Sequence, residues 1–97
     1  MKFDWDEKKN KANIRKHGFD FVDAAEVFEL PMLTGVDRRE DYTEDRFVGI
    51  GFLRQRVVVV VFVEGVNDTI RIISLRKALK HERERFGSFL RNELGSN

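Results

Sequence analysis

The chain reads as an α+β fold: two N-terminal helices, an antiparallel sheet of about four strands, and a C-terminal helix packed on that sheet. Three observations predict it. The first thirty or so residues carry helical spacing and caps, roughly residues 32–75 read as strands, and residues 76–94 return to a helical period. The 97 residues form a single domain, 1–97. A chain of that size buries roughly 60–65% of the surface it exposes when unfolded.

Trp5, Lys9, Ala12, Asn13 and Lys16 fall on one face of the first helix, and that face is mostly polar. Asp4 or Asp6 can cap its start, and Gly18 stands where a left-handed residue would end it. A second, short helix begins at Asp20, with Phe19 and Ala24 placed as a hydrophobic staple and Pro31 as its stop. Met32–Val36 is an edge strand, followed by a charged turn over Asp37–Asp45. Arg46–Leu53 alternates, Arg54–Gln55 makes a tight turn, and the unbroken apolar run Val57–Val63 fits the centre of a covered sheet. Glu64–Asp68 is a hairpin loop and Thr69–Leu75 the last strand. The final helix, about Arg76–Leu94, has an apolar stripe of Leu79, Phe86, Phe89 and Leu90. Glu82 and Arg83 interrupt that stripe, which calls for a partner or a ligand.

A formal net charge of +1 conceals opposed blocks: the two ends are basic and the stretch 19–47 is strongly acidic. Residues 71–85, RIISLRKALKHERER, place Arg71, Arg76, Lys77, Lys80, Arg83 and Arg85 where a strand hands over to a helix. Cations on rigid elements suit a phosphodiester, so nucleic acid is the first partner to consider. The absence of cysteine removes disulfides, thiolate nucleophiles and thiolate metal sites. His17 and His81 are too far apart in sequence to suggest a zinc site, so neither metal nor cofactor is expected. No apolar run is long enough for a membrane span and MKFDWDEKKN lacks a signal-peptide core, so no membrane partner and a cytoplasmic location are the expectation.

Cutting RNA without a metal requires removing a proton from the 2′-OH, giving one to the leaving 5′-oxygen, and stabilising charge on phosphorus. Histidine titrates near neutrality and arginine offers a fork of donors matched to phosphate. Lys16–His17 at the end of the first helix, with Arg71 and Arg76 at the final strand–helix junction, supply those groups. His81 falls on the exposed face of the last helix and is the weaker candidate. A histidine at a helix C-terminus also serves as a plain cap, and arginines hold RNA as readily as they help cut it. Composition and spacing therefore stop at a basic α+β domain that binds a polyanion, with a non-catalytic nucleic-acid-binding regulator and a protein-interaction module as alternatives.

Trp5-Asp6-x-x-Lys9-x-x-x-Asn13-x-x-Lys16-His17-Gly18, followed by Phe21, Ala24 and Val27-Phe28, resembles the opening of the BrnT family of ribonuclease toxins from type II toxin–antitoxin systems. Asp37-Arg38, Tyr42, Arg46, Ile50-Gly51, Arg56, Arg71-Ile72-Ile73-Ser74-x-Arg76-x-Ala78 and Glu82-Arg83 extend the likeness to about residue 86. Thr43 stands where glycine is usual, Leu75 where alanine is usual, and Phe86 where tyrosine is common. The resemblance implies a RelE-like fold, translation arrest through endoribonuclease cleavage of RNA, and no cofactor. It also implies a BrnA-type antitoxin, with DNA contacted only indirectly through that antitoxin. Carried onto this chain, it makes Lys16, His17, Arg71 and Arg76 the active-site group. Lys9, Asn13, Lys80, Glu82 and Arg83 become RNA contacts or supports, with Glu82 orienting an arginine and Trp5 acting as a packing anchor. That assignment needs the Lys-His tip and the junction arginines to share one pocket.

Overall fold

A computed structural model describes residues 1–39 and 44–94, the last by its backbone alone. Tyr42 and Thr43, and with them the middle of the charged turn, lie outside the described residues. The chain forms strand β1 (Lys2–Trp5), helix α1 (Glu7–His17), a 3₁₀ turn (Phe21–Asp23) and a single-turn helix α2 (Ala24–Val27). Strands β2 (Leu33–Val36), β3 (Phe47–Leu53), β4 (Arg56–Glu64) and β5 (Thr69–Lys77) follow, and helix α3 (Lys80–Leu94) closes the chain. The strands form a five-stranded sheet in the order β1-β5-β4-β3-β2.

The expectation of two helices followed by about four antiparallel strands is corrected by the first five residues. They form a strand ahead of the helices, pairing parallel with β5 from Lys2↔Thr69 to Trp5↔Ile72, while the other pairings are antiparallel. The physical reason is alternation: Phe3 and Trp5 turn to one side and pack on the core, while Lys2 and Asp4 face away. Trp5 therefore belongs to β1, and α1 starts only after Asp6, whose carboxylate accepts hydrogen bonds from the Lys8 and Lys9 amides. Gly18 ends α1 with φ of 79° and donates its N–H to the Ile14 carbonyl.

The sheet has a core on each side. Phe21, Ala24 and Val27 of the 3₁₀ turn and α2 join Val58, Val60, Phe62, Ile72 and Leu75 beneath α1. On the opposite side, Ile50, Val59, Ala78 and Phe86 form a smaller cluster with Phe52 and Phe89 under α3. Phe86 stands edge-on to Phe52 with ring centroids 5.0 Å apart. Leu79, expected in that stripe, is 55% exposed because α3 begins at Lys80 and Leu79 lies in the connection.

One irregularity interrupts the sheet. Val61 pairs with Ser74 and Phe62 with Ile72, so Ile73 is an extra residue on β5, a β-bulge. Beyond it β5 continues through Arg76 and Lys77, two residues expected in the last helix.

Candidate active site

β1 stops at Trp5, opposite Ile72, so β5 from Ile73 onward has no strand on that side. A bare edge would leave backbone groups unpaired. Asn13 resolves this with its side-chain amide. Its Nδ2 donates to the Leu75 carbonyl at 2.8 Å, and its Oδ1 accepts from the Leu75 N–H at 3.2 Å. The same Nδ2 also donates to the Phe19 carbonyl at 3.0 Å. Asn10 donates to Asp20 and accepts from the Phe21 N–H. The inward face of α1 is marked by Asn10 and Asn13, while Lys9, Ala12 and Lys16 of the face read from the sequence are exposed: two buried asparagines do the work of a missing strand and fix the chain after the helix. Asn13 is 7% exposed and already engaged, so its place in the site is to position others.

This docking carries the C-terminal end of α1 to the end of β5. His17 is half-buried there and makes no hydrogen bond or ion pair with the described residues. Its pKa lies below the usual histidine value, first because burial disfavours the charged ring and then because Lys16 and Arg76 add positive charge. The shift favours the neutral imidazole, the form that accepts a proton. Lys16 beside it is exposed.

Arg76 is held in a fork. Its Nη1 and Nη2 each donate to Glu82 at 2.8 Å, and Nη1 also reaches the Lys77 carbonyl at 3.3 Å. Glu82 accepts from the Leu79 N–H as well, so one carboxylate both caps α3 and fixes the arginine. The Arg76 hydrogen bonds lower the Glu82 pKa to about 2, more than offsetting burial, with the Leu79 amide helping. The sequence expectation that Glu82 orients an arginine matches this contact.

Arg71 lies elsewhere. It precedes Arg76 by five residues, roughly 15 Å of strand. Its guanidinium approaches Asp4 at 3.7 Å and acts on Asp6, at the other end of α1. Lys9 acts on the same Asp6, so Lys9 and Arg71 share the β1 end of the molecule while Lys16, His17 and Arg76 share the α3 end. The bulge at Ile73 nevertheless leaves both arginines on the α3 side, paired with Val63 and Val59. Lys80 is exposed at the start of α3. Arg83 is exposed, donates to the Ala78 carbonyl and lines a hollow with Arg56 and Lys77. Trp5 packs edge-on to Phe21 with centroids 6.4 Å apart, as a packing anchor would.

Residues that the sequence did not single out as site members also converge. A cleft of about 380 Å³ between β2 and α3 contains Arg38, Arg39, Arg76 and Arg85 over a floor of Val48, Ile50 and Val61. Buried Asp37 receives two hydrogen bonds from the Arg39 guanidinium, and the Arg39 charge is felt at Arg76. The signal available for Arg38 was its place in the family motif; Arg39 and Arg85 sit in charge runs that read equally well as solvated surface. No cluster of three or more metal-ligating side chains occurs among the described residues. No helix among them is long and apolar enough to cross a membrane.

Comparison with known proteins decides the family. The family model described as ribonuclease toxin, BrnT, of type II toxin–antitoxin system matches residues 5–82. The chain belongs to the BrnT family. A crystal structure of the Brucella abortus ribonuclease toxin BrnT is similar to it with a TM-score of 0.64 and 32% identity, covering 82% of this chain and 99% of that one. No curated protein matches. The matched span reaches from Trp5 through Glu82, so the Asn13 dock, His17, Arg71 and the Arg76–Glu82 fork all fall within it. Membership in a type II system implies a protein antitoxin as partner of this BrnT-family chain.

Proposed function

We propose that this chain is a metal-independent endoribonuclease that arrests translation by cutting RNA, with the reacting group at the junction of α1, β5 and α3. The observation that carries it is a half-buried His17, next to Lys16 and within reach of the Arg76 charge, where α1 closes the free edge of β5. In this reading His17 takes the proton of the 2′-OH. The 2′-oxygen bonds to phosphorus as the bond to the 5′-oxygen breaks, the leaving 5′-oxygen takes a proton from water, and His17 returns its own to solvent, so that a 2′,3′-cyclic phosphate and a 5′-hydroxyl result. Arg76 and Lys16 meet the charge that accumulates on the phosphoryl oxygens. The Glu82 fork holds Arg76 in place before substrate arrives, so little reorganisation remains for the reaction. The group needs no Lewis acid, because two cations and a base cover charge and proton uptake. Arg71, with Lys9, serves RNA further along the chain rather than the scissile phosphate.

Incubating RNA with the purified protein, freed of any partner and in EDTA, tests this. Fragments ending in cyclic phosphate are expected; intact RNA in a salt-sensitive complex would overturn cleavage in favour of binding alone. The cognate partner is proposed to be a BrnA-type antitoxin, through which alone the toxin reaches DNA. The exposed edge strand β2, Leu33–Val36, offers backbone for a partner strand. Cytoplasmic action on cellular RNA follows from the same proposal.

A further inference from the structure

Two neighbouring hollows at the α3 end of the molecule share Gln55 and Arg56 in their walls and are taken together as a groove. The first, about 510 Å³, begins at Gly18, the residue after His17, and passes Phe19 and the β3–β4 turn. The second, about 490 Å³, continues from Arg56 past Val57 to Lys77 and Arg83. Three cations from three elements, the start of β4, the end of β5 and the first turn of α3, thus converge where no carboxylate lines the wall. The one acid of the groove, Asp23, is already engaged by Arg54 at 3.2 Å.

The three cations have no ion pair among the described residues. The Arg56 guanidinium lies over the Phe19 ring, 5.7 Å from its centroid, which fixes its direction without neutralising it. Lys77 is exposed and adjoins Arg76 on β5. Arg83 spends one N–H on the Ala78 carbonyl and keeps its remaining donors for the groove. Like charges gathered with no counter-charge are unfavourable unless an anion completes them.

We propose that Arg56, Lys77 and Arg83 form a phosphate-binding subsite for the RNA backbone, seating the phosphate next to the one cleaved. This rests on the ribonuclease reading and deepens it. The groove opens beside His17, so a strand whose scissile phosphate sits at His17 and Arg76 runs its next linkage along the floor toward Arg56. These residues position the substrate and do not touch the reacting atoms.

The test compares the wild type with R56Q, K77Q, R83Q and the triple variant. The probes are a 2′-O-methyl oligoribonucleotide, which cannot be cut, and its cleavable ribo counterpart. For the triple variant, the slope of log affinity against log salt should fall by about 0.7, the contribution of the one phosphate that the subsite seats on a single strand. KM for the cleavable strand should rise at least about tenfold, a far larger change than in kcat. Lys77 has no structural bond to lose, so K77Q carries the test alone if R83Q fails to fold. Binding and KM equal to wild type would overturn the subsite. So would weakened antitoxin binding with an unaltered KM, which would assign the groove to the protein partner. If the wild type cuts nothing yet the variants still lose the inert strand, the subsite stands and the cleavage reading falls.

Discussion

At the scale of single residues, His17 and Asn13 make separable predictions. His17→Asn is expected to slow RNA cleavage by roughly 10²-fold or more with little change in melting temperature, because the ring has no hydrogen bond to lose. Its depressed pKa also gives a sign. The neutral ring is the competent base, so kcat/KM in the wild type should be full at pH 7 and fall only as pH drops below the ordinary histidine value of 6.5. An acid limb at or above 6.5, read from a pH–rate profile, would remove His17 from that role. Asn13→Ala frees the Leu75 N–H and C=O and the Phe19 carbonyl together. A loss of about 2–4 kcal/mol is expected from urea unfolding, since buried backbone groups left unpaired bear their full desolvation cost. Asparagine's role was not legible beforehand. Its type and spacing fit an RNA contact as well as an edge-filling amide, and only the early end of β1 selects the second.

At the scale of elements, the junction between β5 and α3 is governed by one carboxylate. Glu82 has its folded pKa lowered to about 2 from 4.5, and its side chain is 13% exposed. A lowered acid pKa stabilises the fold above its unfolded value, so the contribution is complete above pH 4.5 and is lost as pH falls toward 2. The loss amounts to about 3 kcal/mol in that window. Glu82→Gln should flatten this acid dependence in denaturant titrations while lowering stability at pH 7. A second element-level test concerns β3. A Cβ at Gly51 would stand 3.0 Å from the Val27 side chain, and Val27 is fully buried. Gly51→Ala is therefore expected to cost about 1–3 kcal/mol by overpacking α2 against the sheet. Elements with strong local signals were legible: the Asp6 and Gly18 ends of α1, the valine-rich β4, the Arg54–Gln55 turn and the Phe86 stripe of α3. β1 was not, because four residues of alternating character also fit the helical spacing of Trp5 with Lys9. The extension of β5 through Lys77 was hidden by the helix-favouring composition that follows Leu75.

At the scale of the whole molecule, the segregated charge seen in the sequence resolves into places. The acids of the 3₁₀ turn and α2, Asp23 and Glu26, are answered by Arg54 across the turn, with contacts of 3.2 and 2.9 Å. The basic end around His17, Arg56, Lys77 and Arg83 stays open. Association with RNA should therefore weaken steeply with added salt, and a salt-independent affinity in filter binding would contradict an interface built on these cations. Deleting residues 1–5 removes the parallel strand and uncovers Phe21 and Phe28, so loss of cooperative unfolding is expected in calorimetry. The site was half legible. Lys16, His17 and Arg76 lie toward the same end of the molecule, close enough for the Arg76 charge to act on His17, because a helix end and a strand end can be matched from their caps and periods. The separation of Arg71, and the meeting of Arg56 with Lys77 and Arg83, depend on which way three elements point after folding, and no local spacing encodes that.

The single surplus residue at Ile73 shifts the parity of β5. Arg71 and Arg76 are an odd number of positions apart, which in an even-stepping strand would send their guanidinium groups to opposite surfaces. Excising Ile73 would preserve every charge and every other apolar side chain yet turn one arginine over to the α1 side. That shortened protein should lose cleavage while conservative replacements such as Ile73→Val keep it.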